Sequence, residues 1–180
     1  AFREWLPADT FEGRASFGGS FPLDDFEELY VRPSEIGYGF MTKFDHEFCG
    51  RAALEKAMGK PIRKKVRLIW NSDDVLGVHA SMYGENERAK YMEMPVANYA
   101  NFLADEVTKD GRRVGFSLLP VYSAAARAWI SLAVLDEKIA DSAGEVVVTW
   151  GEPDGGSTKP GVERHVQRAI RARIEEAVRR

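Results

Sequence analysis

A single cysteine, Cys49, among 180 residues excludes an intramolecular disulfide framework and a zinc site built from thiolates. No run of eighteen apolar residues occurs, which excludes a helix-spanned bilayer. Twenty-five basic against 28 acidic residues leave a net charge of −3, the wrong bulk sign for a protein that neutralises phosphates. The first residue is Ala1, with no basic stretch and apolar run behind it, so the start reads as a cut in a longer chain. What remains is ordinary soluble composition, 44% hydrophobic and 29% charged. A chain of 20.2 kDa can bury roughly 70% of its unfolded surface, so one domain is expected.

Charge is unevenly spread. Residues 1–60 hold eleven acids and seven bases, whereas 159–180 hold three acids and seven bases. A basic end on an acidic body can steer an anionic ligand, dock on the body, or simply be solvated.

Residues 1–34 are rich in glycine, proline and aromatics and read as loop, with one helical turn over Asp24–Leu29. The Gly-Arg-Ala-Ser-Phe-Gly-Gly-Ser-Phe stretch lacks the Lys-Ser/Thr of a phosphate loop and reads as a turn. From Cys49 to Met58 the apolar spacing predicts a helix, stopped by Gly59 and Pro61. Lys64 to Trp70 alternates as a half-buried strand. Residues 71–110 are polar and irregular, too long for a plain connection, and read as an insertion. Three strand-like runs follow, Arg113–Leu119, Trp129–Leu135 and Val146–Trp150. Val162–Ile174 fits a helix by its four-residue recurrence and a strand by its alternation. Several short strands after residue 60 predict a small antiparallel barrel or sandwich.

Self-contained chemistry is hard to find. Asp45, His46 and Cys49 form the most reactive local trio, yet nucleophile and base meet in space rather than in sequence, and Cys49 reads as a small buried apolar residue at a helix start. His79 and His165 stand alone, and the pairs Asp73-Asp74 and Glu175-Glu176 do not face one way. Tyr30, Tyr38, Tyr83, Tyr91, Tyr99, Tyr122 and Trp150 read as packing residues that can also stack on a planar ligand.

The stretch PSEIGYGFMTKFDHEFCGRAALEK from Pro33 resembles the P-x-E-x-G-x-G and K-F-D-x-x-F-x-G-R-x-A-L pattern of the glycine-cleavage T-protein (aminomethyltransferase) family. Pro33, Glu35, Gly37, Gly39, Lys43, Phe44, Asp45, Phe48, Gly50, Arg51, Ala53 and Leu54 carry that match, while His46 and Cys49 fall where the family varies. VGFSLLPVYSAAARAWISLAVL resembles a second family stretch through Val114, Gly115, Tyr122, Ser123, Ile130, Leu132 and Ala133, with Leu118-Leu119-Pro120 in place of the family's T-S-G. SFGGSF, the 71–110 insertion and WGEP…KPGVERHVQ resemble more closely the branch of tetrahydrofolate-dependent O-demethylases acting on vanillate, syringate or 3-O-methylgallate.

The resemblance implies a mainly β fold with some α. A linking segment over 1–60, with one helix at about 49–58, precedes a C-terminal antiparallel β-barrel of Greek-key or jelly-roll type over 61–180. Val162–Ile174 then becomes a strand, with Glu175–Arg180 helical or frayed. Relatives of about twice this length or more carry two N-terminal folate-binding domains, which become the expected partners and hold the catalytic residues upstream. The implied activity is movement of a methyl group from a small aromatic methyl ether to N5 of tetrahydrofolate, in the cytoplasm, without metal, nucleic acid or membrane. The barrel would close the folate cavity, and the 180 residues alone would be inactive. Arg14, Tyr122 and Ser123 are the residues placed nearest the cofactor. Glycine-cleavage aminomethyl transfer, or a stand-alone binding module without chemistry, are the alternative readings, as are dimethylsulfoniopropionate or a dimethylglycine-type amine as donor.

Overall fold

The computed structural model describes residues 17–58, 62–95, 102–142, 144–156 and 162–176. Seven strands form in chain order: β1 Phe17–Gly18, β2 Arg63–Trp70, β3 Phe102–Lys109, β4 Arg112–Ser123, β5 Ala128–Asp136, β6 Glu145–Trp150 and β7 Arg168–Glu176. Strands β2 to β7 run antiparallel in the ring order β3-β4-β5-β2-β7-β6, and Val107 and Thr108 of β3 pair with Val148 and Val147 of β6 to close it. Closure leaves no free edge among these six. The two residues of β1 lie outside the ring, parallel to β3.

Alternation builds the interior. In β2, Val66, Leu68 and Trp70 are buried, and in β7 the even positions Ile170, Ala172 and Ile174 are. That period of two settles the ambiguous C-terminal run as a strand. It begins at Arg168 rather than Val162, and it carries Glu175 and Glu176 within it. The helical or frayed end expected there therefore does not begin at Glu175; residues 177–180 lie outside the described residues. Of its bases, Arg171 docks on the body by pairing with Asp74 at 2.8 Å, while Arg173 pairs with Glu175 of the same strand at 2.6 Å.

Three tryptophans fill the core. Trp70 meets Trp150 edge-on at 5.7 Å between ring centres and Trp129 at 6.3 Å. Trp70 Nε1 donates to Ser131 Oγ at 2.9 Å, which satisfies the indole inside the barrel. Gly115, in the second motif, sits at φ +150°, and a Cβ there would lie 2.0 Å from Val134 O. That glycine serves strand packing.

The segment expected to be an irregular insertion contains regular structure. Helix α2, Ser72–Ala80, follows helix α1, Arg51–Ala57, and the Asn71 side chain caps α2 by accepting the Asp73 and Asp74 amides. Its end is barrel strand β3. A single helical turn, α3 Glu137–Ala140, follows β5.

Among the described residues, ion pairs of Arg63 with Glu35 and of Arg113 with Glu28, the latter at 3.2 Å, tie the linking segment to the barrel. Glu35, the motif carboxylate, is 1% exposed and accepts both Arg63 Nε and Nη2, at 3.0 and 3.1 Å. Arg63 Nη1 and Nη2 also reach the carbonyls of Glu28 and Tyr30, at 2.5 and 2.6 Å. The Lys65 amide donates to Glu35 O at 2.8 Å. Burial raises the Glu35 carboxyl, but the Arg63 hydrogen bonds and charge, with the Arg32 amide, bring it below the usual carboxylate range.

Candidate functional site

Arg14 lies outside the described residues. Tyr122 and Ser123 end β4, opposite Trp129 and Ala128 of β5. Both have internal commitments. Tyr122 packs against the main core and its amide donates to Pro95 O at 2.7 Å, while Ser123 Oγ accepts the Ala126 amide at 3.2 Å across the β4–β5 turn. Neither is drawn into a cluster of charged groups by any contact of the described residues.

The Asp45-His46-Cys49 trio stays on the surface. His46 Nδ1 meets Asp45 at 2.7 Å, with both side chains mostly exposed, and Cys49 is exposed rather than buried as a helix-start residue. Among the described residues no group of three or more His, Cys, Asp or Glu side chains could hold a metal ion. None of their helices is long and apolar enough to cross a membrane.

What sequence reasoning missed is a buried charged cluster at the barrel wall. Lys90 is fully buried, and its Nζ donates to Glu152 Oε1 at 2.8 Å while lying 4.9 Å from the centre of the Trp150 ring. Glu152 Oε1 also accepts the Gly19 amide at 3.1 Å. Asp105 of β3 is fully buried too, and its Oδ1 accepts the Ser20 amide at 3.3 Å. On the far side the Glu152 amide donates to His165 Nε2 at 3.0 Å, and His165 Nδ1 faces Glu163 O at 2.9 Å. That pair of contacts fits a neutral imidazole with its proton on Nδ1.

Electrostatics divides the two acids. Burial raises Asp105 to about 7, against the pull of Lys90 and the Ser20 amide and with Glu152 adding to the rise. Burial also raises Glu152, but the Lys90 charge and hydrogen bond, with the Gly19 amide, bring it below the ordinary range. The residues come from the SFGGSF stretch, the 71–110 region and the WGEP…ERHVQ stretch, so the three branch-like features of the sequence meet at one place.

A second, outer apolar layer lies between barrel and linking segment. Phe21, Ala104, Phe116 and Val134 are its buried members, with Phe21 edge-on to Phe116 at 5.7 Å. Beside it opens an apolar cavity of about 220 Å³ lined by Phe17, Leu29, Tyr30, Phe102, Phe116 and Leu118. The linking segment itself turns large apolar side chains outward: Tyr30, Tyr38, Phe40, Met41 and Met58 are all exposed, and α1 buries none of its residues.

These features define a closed antiparallel barrel with a linking segment clamped to its outside and no complete catalytic constellation among the described residues. No family model matches the chain. It is 40% identical over 171 residues to syringate O-demethylase of Sphingobium sp., covering 95% of this chain and 37% of that protein. It is 33% identical over 163 residues to sesamin methylene transferase of Sinomonas sp., covering 85% of this chain and 36% of that protein. The resemblance to the O-demethylase branch thus extends over nearly the whole chain, and the chain spans little more than a third of the length of these curated relatives.

Proposed function

We propose that the chain is the C-terminal part of a tetrahydrofolate-dependent one-carbon transferase that removes the methyl group of an aryl ether such as syringate. The observation that carries this reading is 40% identity to syringate O-demethylase across 95% of the chain. In the proposed reaction the aryl O–CH3 bond breaks, the methyl carbon bonds to N5 of the folate, and the phenolate oxygen takes up a proton as N5 loses one. A methyl ether is a poor electrophile, so an acid must protonate the leaving oxygen, and that acid belongs to the upstream domains.

The described residues do not build a folate cavity by themselves, since Ser123 Oγ is held by the Ala126 amide and Tyr122 packs on the core. Their proposed contribution is a wall. The outward apolar residues of the linking segment dock on the folate-binding domains, and the barrel excludes water from the cavity those domains form. Arg14, Tyr122 and Ser123 are the residues proposed to face the cofactor.

The test is turnover by the full-length protein with tetrahydrofolate and either syringate, vanillate or sesamin, followed by mass spectrometry of both products. Demethylated syringate and methylated folate in equal amounts are expected, with no turnover by the 180 residues alone. Consumption of sesamin and not of the methyl ethers would replace methyl by methylene transfer. Turnover by the 180 residues alone would overturn the division of labour.

A further inference from the structure

The buried charges have no part in the proposed reaction, yet they converge on one short stretch outside the barrel ring. Gly19 and Ser20 give their amides to Glu152 and Asp105, Ser20 Oγ donates to Thr149 O at 2.5 Å and accepts the Glu106 amide at 2.8 Å, and the Phe21 amide donates to Ala104 O at 3.1 Å. The approach is close: Gly19 sits at φ +97°, and a Cβ there would lie 2.2 Å from Ala104 O and 2.9 Å from Asp105 Oδ1. Charge is unbalanced at this point. Lys90 supplies one positive charge against two carboxyl groups, and Asp105 Oδ2 and Glu152 Oε2 are both buried without a hydrogen-bond partner. A proton on Asp105 cancels the surplus charge and turns Oδ2 from an acceptor into a donor.

We propose that Asp105, Glu152 and Lys90 form a proton-dependent latch that holds Phe17–Phe21 on the barrel and thereby keeps the Phe17 wall of the outer apolar cavity in place. While Asp105 is protonated the latch is closed; ionisation sets a second buried negative charge against the single charge of Lys90, and release of the segment hydrates it. The charged groups that bear on Asp105 are Lys90 and Glu152, with the Ser20 amide as its hydrogen-bond donor, and His165 contacts Glu152 from the opposite side. Because Phe17 lines the cavity with Leu29, Tyr30, Phe102, Phe116 and Leu118, opening exposes a site for an apolar group of about one aromatic ring. The raised titration of Asp105, to about 7, places the change near neutrality. The inference concerns this chain alone and stands whether or not the one-carbon reading does.

Sign and window follow from linkage. An open segment returns Asp105 toward its ordinary 3.8, so opening grows up to tenfold per pH unit between 3.8 and about 7 and levels off above. Hydrogen exchange of the full-length protein, corrected for intrinsic rates, reads it. Protection of the Gly19 and Ser20 amides is expected to fall by roughly two orders of magnitude from pH 5 to pH 8, and at each pH these amides are expected to exchange faster than the β2 amides over Arg63–Trp70, because the segment opens without global unfolding. In Asp105→Asn the protection of Gly19 and Ser20 is expected to be independent of pH. An equal loss in Asp105→Asn, no loss in the unsubstituted protein, or Gly19 and Ser20 amides exchanging no faster than those of β2 would each overturn the latch. Should Asp105→Asn fail to fold, the comparison of Gly19 with β2 in the unsubstituted protein decides alone.

Discussion

Replacing Arg63 by alanine removes more than a surface charge. Arg63 Nε and Nη2 hold both oxygens of the buried Glu35, and the same guanidinium satisfies the carbonyls of Glu28 and Tyr30. Glu35 would keep only the Arg32 amide, at 2.7 Å. Removing one partner of a buried pair costs about 3–5 kcal/mol. Arg63 is 20% exposed, and water can reach part of the gap, so the lower end, about 3 kcal/mol, is the expected loss. For a chain of this size that corresponds to a melting-temperature drop of about 6–12 °C. The pH dependence gives a sharper test. In the intact protein Glu35 is held below its ordinary value, so its contribution is present above about pH 4.5 and is lost as pH falls. Without Arg63 burial is opposed only by the Arg32 amide and charge, the carboxyl rises, and the variant is expected to lose less stability at pH 5 than at pH 7. Urea unfolding of Arg63→Ala, Glu35→Gln and the double variant at both pH values reads this out. A penalty under about 1 kcal/mol, or one unchanged by Glu35→Gln, would refute the clamp.

Two further perturbations test other parts of the structure. Leu119 sits at φ +52° in a β4 bulge, 67% exposed, so Leu119→Gly is expected to relieve strain and raise barrel stability by about 0.5–1 kcal/mol, measured by urea unfolding. Asp105 titrates near 7 in the folded chain and 3.8 unfolded, so the stability it confers at low pH is lost as pH rises to 7. The unsubstituted protein should therefore lose about 2–3 kcal/mol of stability between pH 5 and pH 8, and Asp105→Asn should lose little, by the same measurement.

Legibility in the sequence followed the simplicity of the pattern. The alternation of Val66, Leu68 and Trp70 exposed β2 directly, and the strand-like runs after residue 110 lie within β4, β5 and β6. The helix expected at about 49–58 appears as Arg51–Ala57, yet none of its residues is buried. Its spacing marked a face that the described residues cover only in part, with Leu54 and Ala57 half-buried. Helix α2 was hidden because only Val75 and Val78 are buried on it and its start depends on the Asn71 cap. Strand β3 was hidden because Asp105 interrupts the inward positions between Leu103 and Val107. The charged latch had no local signal at all, since Gly19, Lys90, Asp105 and Glu152 are separated by up to 133 positions and meet only through the fold. Of the residues placed nearest the cofactor, Tyr122 and Ser123 were located by resemblance, and their structural commitments emerged only from the contacts of the β4–β5 turn.

The central proposal is that this barrel belongs to a machine moving a methyl group from an aryl ether to folate. Syringate labelled with carbon-13 in its methoxy groups, given to the full-length protein with tetrahydrofolate and followed by carbon NMR, tests it most directly. The account predicts that the label leaves the methoxy position and appears as a methyl group on N5 of the folate, one for each phenol formed. Label appearing as formaldehyde or methanol, or remaining on syringate, would contradict it.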